Sequence, residues 1–373
     1  MQCPCKINLG LTVGPRLKNR GGLHQIYSLF IPIRIGPLDH GSSHASGAYD
    51  PSNSRADFIQ IRNADSFEFR SENLIQGPDA VIQAFEYVSE RGPAMDKNLM
   101  VRAARLIEPF RLAAERMRDS GSDQHSEFRG PDPALPGIPS EITDTSESNG
   151  GGGPAIESEK SQSSEAIAPL SIQITKRIPP GTGVGAGSAN AAAVLIFALQ
   201  QGWITSDQSK QLAPELGADV SFFLENMPAL VEGTGERITP IDCGPVYGVI
   251  CFPGLFVSTG EAYSRLKRPL QQSEDAKLGS LLSDSDWQAI AAGEWSRLAH
   301  WTNDFEPPVF AMHPELQEIK AFMVRVGADY CSLSGSGSAL YGLYSSSQGA
   351  RIALDSLKSQ YPELPFETFA LWE

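Results

Sequence analysis

Alternation of apolar and polar residues predicts a short strand near the beginning of the chain, in KINLGLTV. This alternation divides the strand into two faces, one with Lys6, Asn8 and Gly10 and the other with Ile7, Leu9 and Leu11. A lysine and an asparagine on one face form a polar stripe that fits the wall of a binding site. The alternative is a lysine at a strand edge, with its ammonium in solvent.

Similar patterns predict further elements along the chain. FIQIRN and SFEFRS alternate like half-buried strands, after a stretch at 40–57 that is rich in Gly, Ser and Asn. NLMVRAARLIEPFRLAAERM, at 98–117, has the spacing of a helix. SIQITKRI and VYGVICFPG are predicted strands, and ADYCSLSGSGSALYGLY predicts a strand, a tight Gly/Ser turn and a second strand.

The stretch at 118–166 breaks these patterns. It is acidic, rich in Gly, Pro and Ser, and nearly free of aromatic residues. Because it cannot bury enough apolar surface to offset the entropy of ordering, we expect a disordered or weakly ordered surface insertion. A substrate lid is the alternative, although nothing in the stretch carries chemistry.

A glycine-rich loop joins the predicted strand SIQITKRI to a predicted helix that ends near Gly202. The loop reads PPGTGVGAGSANAA, at 179–192. Its glycines allow backbone N–H groups to approach a ligand, and the helix start adds unpaired N–H groups and the positive end of a dipole. The order of strand, loop and helix therefore predicts a phosphate site. A flexible surface loop is the alternative.

Other phosphate-loop classes fit this segment less well. No Gly-Lys-Ser/Thr closes the loop, which excludes a Walker A motif, and GxGxxG spacing is present only in part. The phosphate would be bound mainly by backbone donors, which suits a chain of 373 residues with a formal net charge of −14. That charge speaks against nucleic acid or an anionic membrane as a partner.

The cysteines and the hydropathy pattern bear on the compartment. Five cysteines occur at spacings that match no zinc or redox motif, so we expect free thiols in a reducing cytoplasm. No apolar run reaches the length of a membrane span, and no signal peptide is visible. We expect a cytoplasmic protein, either a monomer or a weak homodimer.

Four segments in the right order resemble the GHMP kinases, the family of galactokinase, homoserine kinase and mevalonate kinase. They are CPCKINLGLTV, the glycine loop, LGADVSFFLENMPALVEGTGERITPI at 216–241, and SLSGSGSALYGLY. The resemblance covers most of the chain outside 40–95 and 113–168. It implies an α+β fold with two domains. Residues 1–240 would form an ATP-binding domain with a ribosomal-protein-like β-α-β core, and 241–373 a ferredoxin-like domain.

The resemblance also implies catalytic roles. Asp219 matches the family's base, which accepts the proton of the acceptor hydroxyl. Lys6 would pair with Asp219 and hold the γ-phosphate of ATP, and Asn8 would contact the acceptor end of the substrate. An alternative for Asp219 is a helix N-cap, because VSFFLEN can begin a short helix after it.

For ATP, the resemblance implies that the adenine lies near Asn98, for which the start of a helix is the structural alternative. The phosphates would be bound by Pro180, Gly181, Gly183, Gly185, Ala186, Gly187, Ser188, Ala189 and Asn190. Ser188 would lie near Mg²⁺, which would arrive with ATP, since no protein carboxylate is reserved for it. Ser334 to Ser338 would close the site, and Asn303 and Asp304 would be structural.

Within the family, PxKINL together with GADVxFF is similar to the members that phosphorylate the 2-hydroxyl of a cytidine diphosphate ester of methylerythritol, in the non-mevalonate route to isoprenoids. His24 and Tyr263 would then hold the cytosine. Leu23 stands where those members have a tyrosine, and a leucine cannot stack on a base as a ring does. Two alternatives are another small alcohol as substrate, such as homoserine or a mevalonate derivative, and a non-catalytic nucleotide-binding protein.

Overall fold

The computed structural model describes residues 1–38, 55–74, 97–119, 167–272 and 281–372. The predicted insertion at 118–166 lies outside the described residues, apart from its first two positions. The same holds for most of the Gly/Ser/Asn-rich stretch at 40–57. Within the described part, none of the helices combines the length and the apolar character that crossing a membrane requires.

A long antiparallel hairpin forms the middle of the fold. It consists of β1 (Cys5–Leu17) and β2 (Leu23–Ile35), joined by a 3₁₀ turn at Lys18–Arg20. Both strands are buried along most of their length, and each separates two apolar clusters on its opposite faces. At Lys6, β1 pairs with β2 on one side, and on the other side its N–H donates to the Val184 carbonyl of the glycine loop at 2.9 Å. The Lys6 side chain is therefore buried inside the protein and not at a solvent-exposed edge.

A bulge at Gly10 interrupts this hairpin. The pairing register shifts between Leu9 and Leu11, and Gly10 has a φ of +59°. Because one extra residue reverses the in–out alternation of a strand, Leu11 changes face. It packs in a different apolar cluster from Ile7 and Leu9, and it lines the same cavity as Lys6. The prediction that Leu11 shares a face with Ile7 and Leu9 is wrong for this reason.

Two sheets are built around the hairpin. A small sheet contains β3 (Phe58–Asn63), β4 (Glu68–Asn73) and β5 (Leu170–Lys176) in the order β3-β5-β4. The large sheet adds to the hairpin β6 (Ala229–Gly233), β7 (Arg237–Pro240), β8 (Tyr247–Cys251), β9 (Leu270–Gln271), β10 (Tyr330–Leu333), β11 (Leu340–Tyr344) and β12 (Phe366–Leu371). Its order is β10-β11-β8-β12-β2-β1-β9, and β6 pairs with both β2 and β7.

This large sheet extends across the predicted domain boundary. β12 pairs with β2, so that Phe369 lies opposite Ile35 and Leu371 opposite Ile33. Strands from before and after position 240 thus belong to one hydrogen-bonded sheet. The division at residue 240 stays a prediction.

Helices cover the sheets. Their bounds are α1 (Leu99–Asp119), α2 (Ala186–Gln200), α3 (Ser206–Leu216), α4 (Val220–Glu225), α5 (Thr259–Arg265), α6 (Asp284–Ala292), α7 (Glu306–Met312), α8 (Pro314–Arg325) and α9 (Ser347–Gln360). A further 3₁₀ turn spans Trp295–Leu298. α2 is apolar on nearly all sides because it is enclosed by α1, α3 and α4. Its start is thereby held rigidly at the glycine loop.

Candidate active site

One cavity of about 870 Å³ collects most of the residues that the sequence singled out. Its walls come from the polar face of β1, the start of α1, the glycine loop, the segment before α4, and α5. The predicted site residues in its lining are Lys6, Asn8, His24, Asn98, Pro180, Gly181, Gly183, Gly185, Ala186, Gly187, Ser188, Asn190, Asp219 and Tyr263.

Lys6 and Asp219 meet in this cavity. Lys6 Nζ lies 3.7 Å from Asp219 Oδ2 and 4.7 Å from the centre of the Phe30 ring. The Lys6 side chain is 4% exposed, whereas that of Asp219 is 30% exposed, so a ligand can reach the carboxylate. Burial lowers the pKa of Lys6, and the negative charge of Asp219 opposes that shift.

Asp219 occupies the position before the first residue of α4 without capping the helix. Its side chain accepts no hydrogen bond from the N–H groups of α4, and its backbone is already helical, with φ −78° and ψ −11°. The geometry therefore does not support the alternative in which Asp219 is the N-cap of this helix. The carboxylate is directed to Lys6 and the cavity.

Both polar atoms of the Asn8 side chain form hydrogen bonds with neighbouring residues. Its Oδ1 accepts a hydrogen bond from Lys6 Nζ, and its Nδ2 donates to Ser28 Oγ at 3.2 Å. Ser28 Oγ in turn donates to the carbonyl of Gly10, at the bulge, at 2.6 Å. Asn8 is only 1% exposed and supports the Lys6 ammonium, and since it also lines the cavity its contact with substrate stays a prediction.

The glycine loop is built as a cradle of backbone donors. Gly181, Gly183 and Gly185 all have φ near +70°, a region that disfavours other residues. The first hydrogen bond of α2 runs from Ala189 N–H to the Gly185 carbonyl. The N–H groups of the first three residues of the helix thus have no acceptor within it, and they lie at the cavity. This arrangement fits a phosphate group.

A second glycine turn, at 334–338, packs against this loop as predicted. Ser334 Oγ lies 3.0 Å from the Gly183 carbonyl oxygen and 3.2 Å from that of Lys6. The buried Asn303 amide donates to the carbonyls of Leu333 and Gly335, at 3.0 and 2.8 Å. Asn303 therefore holds the second turn in place, which is the structural role expected for it.

Three predicted nucleotide contacts have other partners. Ala189 does not line the cavity, because its methyl group lies in the core and its N–H bonds Gly185. Asn190 Nδ2 donates to Asp57 Oδ2 at 2.8 Å. Asn98 Oδ1 accepts from Met100 N–H at 2.9 Å, which is the helix-start alternative, although Asn98 also lines the cavity.

Two rings stand together at the far side of the cavity. The rings of His24 and Tyr263 stack with centroids 4.7 Å apart and an interplanar angle of 26°. Tyr263 also packs edge-on against Phe305. Burial lowers the pKa of His24, and burial together with the charge of Asp219 raises that of Tyr263. Leu23 lies beside them in the cavity wall, with its side chain exposed.

A smaller cavity of about 450 Å³ adjoins the ring pair and shares His24 and Tyr263 with the first. Arg16, Lys267 and Arg268 line it. Arg268 donates to Asp304 Oδ2 at 2.6 Å, and Arg16 Nε to the Gly22 carbonyl at 3.2 Å. Because Asp304 offsets the charge of Arg268, Arg16 and Lys267 supply the net positive charge of this small space in an otherwise acidic protein.

Three further polar residues of the site were not found from the sequence. Ser28 aligns Asn8, and Asp57 and Lys176 form a buried ion pair beside the glycine loop. Lys176 carried a signal, because the alternation of SIQITKRI puts it on the buried face with Ile172 and Ile174. Asp57 carried none, since it ends the polar stretch at 40–57.

Within the described part of the chain, no group of three or more His, Cys, Asp or Glu side chains is placed to hold a metal ion. A divalent cation would depend on the oxygens of a bound phosphate for most of its ligands. Two hydroxyl residues of the glycine loop line the cavity: Ser188, at the start of α2, and Thr182, whose Oγ1 donates to the Pro179 carbonyl at 2.9 Å. The donor set therefore fits a cation that arrives with a nucleotide.

Comparisons with known proteins agree with this geometry. The family models for the GHMP kinases N terminal domain and C terminal domain match residues 155–226 and 288–363. A 4-diphosphocytidyl-2-C-methyl-D-erythritol kinase of Leptospira interrogans is 31% identical over 375 residues, which cover 99% of each chain.

Solved structures give the same result for the fold. A crystal structure of a 4-(cytidine 5'-diphospho)-2C-methyl-D-erythritol kinase has a TM-score of 0.57 and 27% identity, and covers 99% of this chain and 98% of its own. Homoserine kinase from Cytophaga hutchinsonii has a TM-score of 0.51 at 15% identity, over 98% and 94% of the two chains, which is a likeness of fold alone. The predicted mixed α/β fold is confirmed.

Proposed function

Because this chain belongs to the GHMP kinases, and among them to the 4-diphosphocytidyl-2-C-methyl-D-erythritol kinases, we propose that it phosphorylates the 2-hydroxyl of 4-diphosphocytidyl-2-C-methyl-D-erythritol with ATP. The observation that carries this proposal is the Lys6–Asp219 pair beside a cradle of backbone N–H groups in one cavity. Phosphoryl transfer to an alcohol needs little more than a base, charge stabilisation and exact positioning.

Asp219 is the base in this mechanism. Its carboxylate is partly exposed to the cavity and free of the helix that follows it, so it can accept a hydrogen bond from the acceptor hydroxyl. As the hydroxyl oxygen attacks the γ-phosphorus, its proton passes to Asp219, the bond from the γ-phosphorus to the oxygen bridging to the β-phosphate breaks, and ADP leaves. The buried ring of Phe223 on α4 lies against Gly185 of the glycine loop, where it would limit water near the site.

Lys6 stabilises charge on both sides of the transfer. Its ammonium lies next to Asp219 and under the glycine loop, where a Cβ on Gly185 would come within 3.2 Å of Lys6 Cγ. From there it attracts the γ-phosphate and keeps the carboxylate oriented. Asn8 and Phe30 fix the ammonium so that little reorganisation is needed during the reaction.

The glycine loop and the start of α2 would bind the phosphates of ATP through backbone N–H groups. Mg²⁺ would be held mainly by phosphate oxygens, with Ser188 as the nearby protein hydroxyl, and would neutralise charge on the transferring group. Asn98 and the residues around it would face the adenine, since they form the same cavity on the side of α1.

The cytidine diphosphate part of the substrate fits the opposite side of the cavity. The His24–Tyr263 ring pair offers a flat apolar surface to the base. Arg16, Lys267 and Arg268 bring positive charge next to that surface, which suits the two phosphates that join the cytidine to the erythritol. Leu23 lies in the wall beside this surface, so the base would meet an aliphatic side chain there and not a further ring.

The five cysteines are all unpaired, and all but Cys243 are buried. Burial raises the pKa of Cys3 to about 12, so its thiol is unreactive at neutral pH. Free, inert thiols support the proposal that the enzyme works in the cytoplasm.

A coupled assay of ADP release tests the function. The expected result is turnover with 4-diphosphocytidyl-2-C-methyl-D-erythritol and none, or far less, with homoserine, mevalonate and phosphomevalonate at equal concentration. Preferred turnover of one of the other alcohols would replace the substrate assignment. ATP binding without turnover of any alcohol would favour a non-catalytic nucleotide-binding protein.

A further inference from the structure

Asp57 is a buried carboxylate that lies one residue before β3 and accepts four hydrogen bonds. Its Oδ2 accepts from Lys176 Nζ and, at 2.8 Å, from Asn190 Nδ2. Its Oδ1 accepts from the backbone N–H groups of Arg177 and Ile178, at 2.9 and 3.1 Å. The side chain of Asp57 is fully buried, and that of Lys176 is 7% exposed. Such a saturated carboxylate needs an explanation beyond filling a core.

The four donors lie on both sides of the glycine loop. Lys176, Arg177 and Ile178 come directly before Pro179, where the loop begins, and Asn190 lies in the second turn of α2, after the loop. One carboxylate therefore fixes the entry and the exit of the same loop. The Asp57 carbonyl also accepts from Cys3 N–H at 2.9 Å, just ahead of β1, the strand that carries Lys6.

Fixing both ends matters because the glycine-rich backbone of the loop is conformationally flexible when nothing restrains it. Glycines at three alternate positions give the unbound segment many conformations, and only a few of them direct the N–H groups to one phosphate. Anchoring the ends removes much of that freedom before the ligand arrives, so less ordering entropy opposes binding. Lys176 and Asn190 also line the cavity, which places the anchor directly behind the phosphate site.

Asp57 also sets the orientation of the Asn190 amide. A carboxylate can only accept, so the amide must direct its NH₂ group to Asp57 and its carbonyl away from it. Asn190 is 2% exposed, and its Oδ1 has no hydrogen-bond partner among the described residues. A buried acceptor in a cavity wall is usually completed by a donor from the ligand or from an ordered water.

We propose that Asp57 is a positioning residue for the nucleoside triphosphate: it holds the two ends of the glycine loop and the Asn190 amide in the geometry that binds ATP. This inference rests on the proposed function, because it takes ATP to be the ligand that binds the glycine loop. It predicts a selective effect, in which ATP binding depends on Asp57 and binding of the cytidine substrate does not.

The test is Asp57→Asn in the full chain, with Asp65→Asn as the matched control. Asp65 is exposed, lies between β3 and β4 and contacts neither cavity. Loss of charge-assisted hydrogen bonds predicts a KM for ATP that rises about tenfold or more in Asp57→Asn. The KM for the cytidine substrate should stay within about twofold, and saturating ATP should restore most of kcat. Asp65→Asn should behave like the parent enzyme.

Equal changes in both KM values, or an unchanged KM for ATP, would overturn the inference and leave Asp57 as part of the core. Asp57→Asn leaves Lys176 unpaired, so the variant could fail to fold. In that case Asn190→Ala decides, since it removes one contact and keeps the ion pair. It should raise the KM for ATP alone, and an unchanged value would overturn the inference.

The same experiment separates this inference from the proposed function. If the parent enzyme consumes ATP with none of the alcohols, the substrate assignment fails. The Kd for ATP, measured by calorimetry on parent, Asp57→Asn and Asp65→Asn, then tests the role of Asp57 on its own. A Kd that Asp57→Asn leaves unchanged would reject the positioning role even if the kinase assignment holds.

Discussion

The Lys6 ammonium and the Asp219 carboxylate lie 3.7 Å apart, although more than two hundred positions separate them in the chain. Lys6 lies on β1 beneath the glycine loop and is nearly enclosed, whereas Asp219 stands at the edge of the cavity ahead of a short helix. This difference in exposure gives the two groups different tasks. The lysine, which has little exposed surface, acts mainly through its charge, whereas the more exposed carboxylate can accept a hydrogen bond from a substrate.

If Asp219 is the base, Asp219→Asn should lower kcat by roughly 10²- to 10⁴-fold, the usual contribution of a general base. ATP binding should persist, because the glycine loop does not depend on this carboxylate. Single-turnover kinetics and the Kd for ATP measure the two effects separately. Asp242→Asn, at an exposed position after β7, is the control and should keep full activity. Near-normal turnover in Asp219→Asn would remove the base assignment.

The pH profile should show the buried state of Lys6. Burial lowers its pKa below the 10.5 of an ordinary lysine, so the ammonium loses its proton earlier as the pH rises. If the charge is needed, kcat/KM falls on the alkaline side at a pH below that ordinary value. Lys6→Arg keeps its charge to much higher pH and should lose this alkaline limb, even if its rate is lower. If Lys6→Arg shows the same alkaline fall in kcat/KM, a group other than Lys6 causes it.

Asn8→Ala distinguishes support of Lys6 from contact with substrate. The side-chain oxygen of Asn8 accepts from the Lys6 ammonium, and a hydrogen bond to a charged group is worth about 1.5–3 kcal/mol. We expect kcat to fall by about 10- to 100-fold. The KM for the cytidine substrate should change little. Ser28→Ala, one step further along the chain of hydrogen bonds, should give a smaller loss of the same kind. A rise in the KM for the cytidine substrate with kcat preserved would instead support Asn8 as a substrate contact.

Gly183 and Gly187 form a matched pair within the glycine loop and the helix it begins. A Cβ on Gly183 would lie 1.8 Å from the carbonyl oxygen of Ser334, at a φ of +76°, whereas one on Gly187 would meet nothing within 4 Å. Gly183→Ala should lower the free energy of unfolding by at least about 2 kcal/mol, from strain and overlap together. Gly187→Ala should leave it equal or raise it by about 0.5–1 kcal/mol, since alanine favours a helix. Urea denaturation measures both, and equal effects would contradict the packing of the second turn on the loop.

Lys267 tests the charge next to the ring pair. Lys267→Glu reverses one of the three cations in the smaller cavity, so the KM for the cytidine substrate should rise by about tenfold at low ionic strength. The KM for ATP should not change. Added salt should narrow the difference from the parent enzyme, because screening weakens an exposed charge. Lys358→Glu, an exposed site on α9, is the control. An unchanged substrate KM would separate this cavity from substrate binding.

The sequence predicted the elements and the central pair of the site because each left a local signal. Alternation predicted β1 and β5, and the run of small residues after the glycines predicted α2. The resemblance of the GADVSFF segment to the family predicted Asp219 as the base. Its distance from Lys6 could not be obtained from the pattern, since it depends on how β1 and α4 pack.

Other features depend on contacts that no local pattern contains. The bulge at Gly10 turns Leu11 toward the cavity, and a strict period of two cannot anticipate an inserted residue. Asp57 lies in a stretch that reads as a loop, and its role becomes visible only when Lys176 and Asn190 are brought to it. Asn8 is assigned to the substrate by resemblance, and this stays a prediction, whereas the hydrogen bond from Lys6 to its side-chain oxygen appears only in the folded chain.

The order of strands also has a consequence for synthesis. β12 follows every other strand along the chain, yet it lies between β2 and β8 in the sheet. While the chain is being translated, the hairpin with Lys6 and the layer of β8, β10 and β11 have no strand to join them. Until β12 has been made, the edges of β2 and β8 that it will pair with are exposed to other chains. The large sheet can therefore be completed only after β12 has been synthesised, so its two parts are joined late in translation.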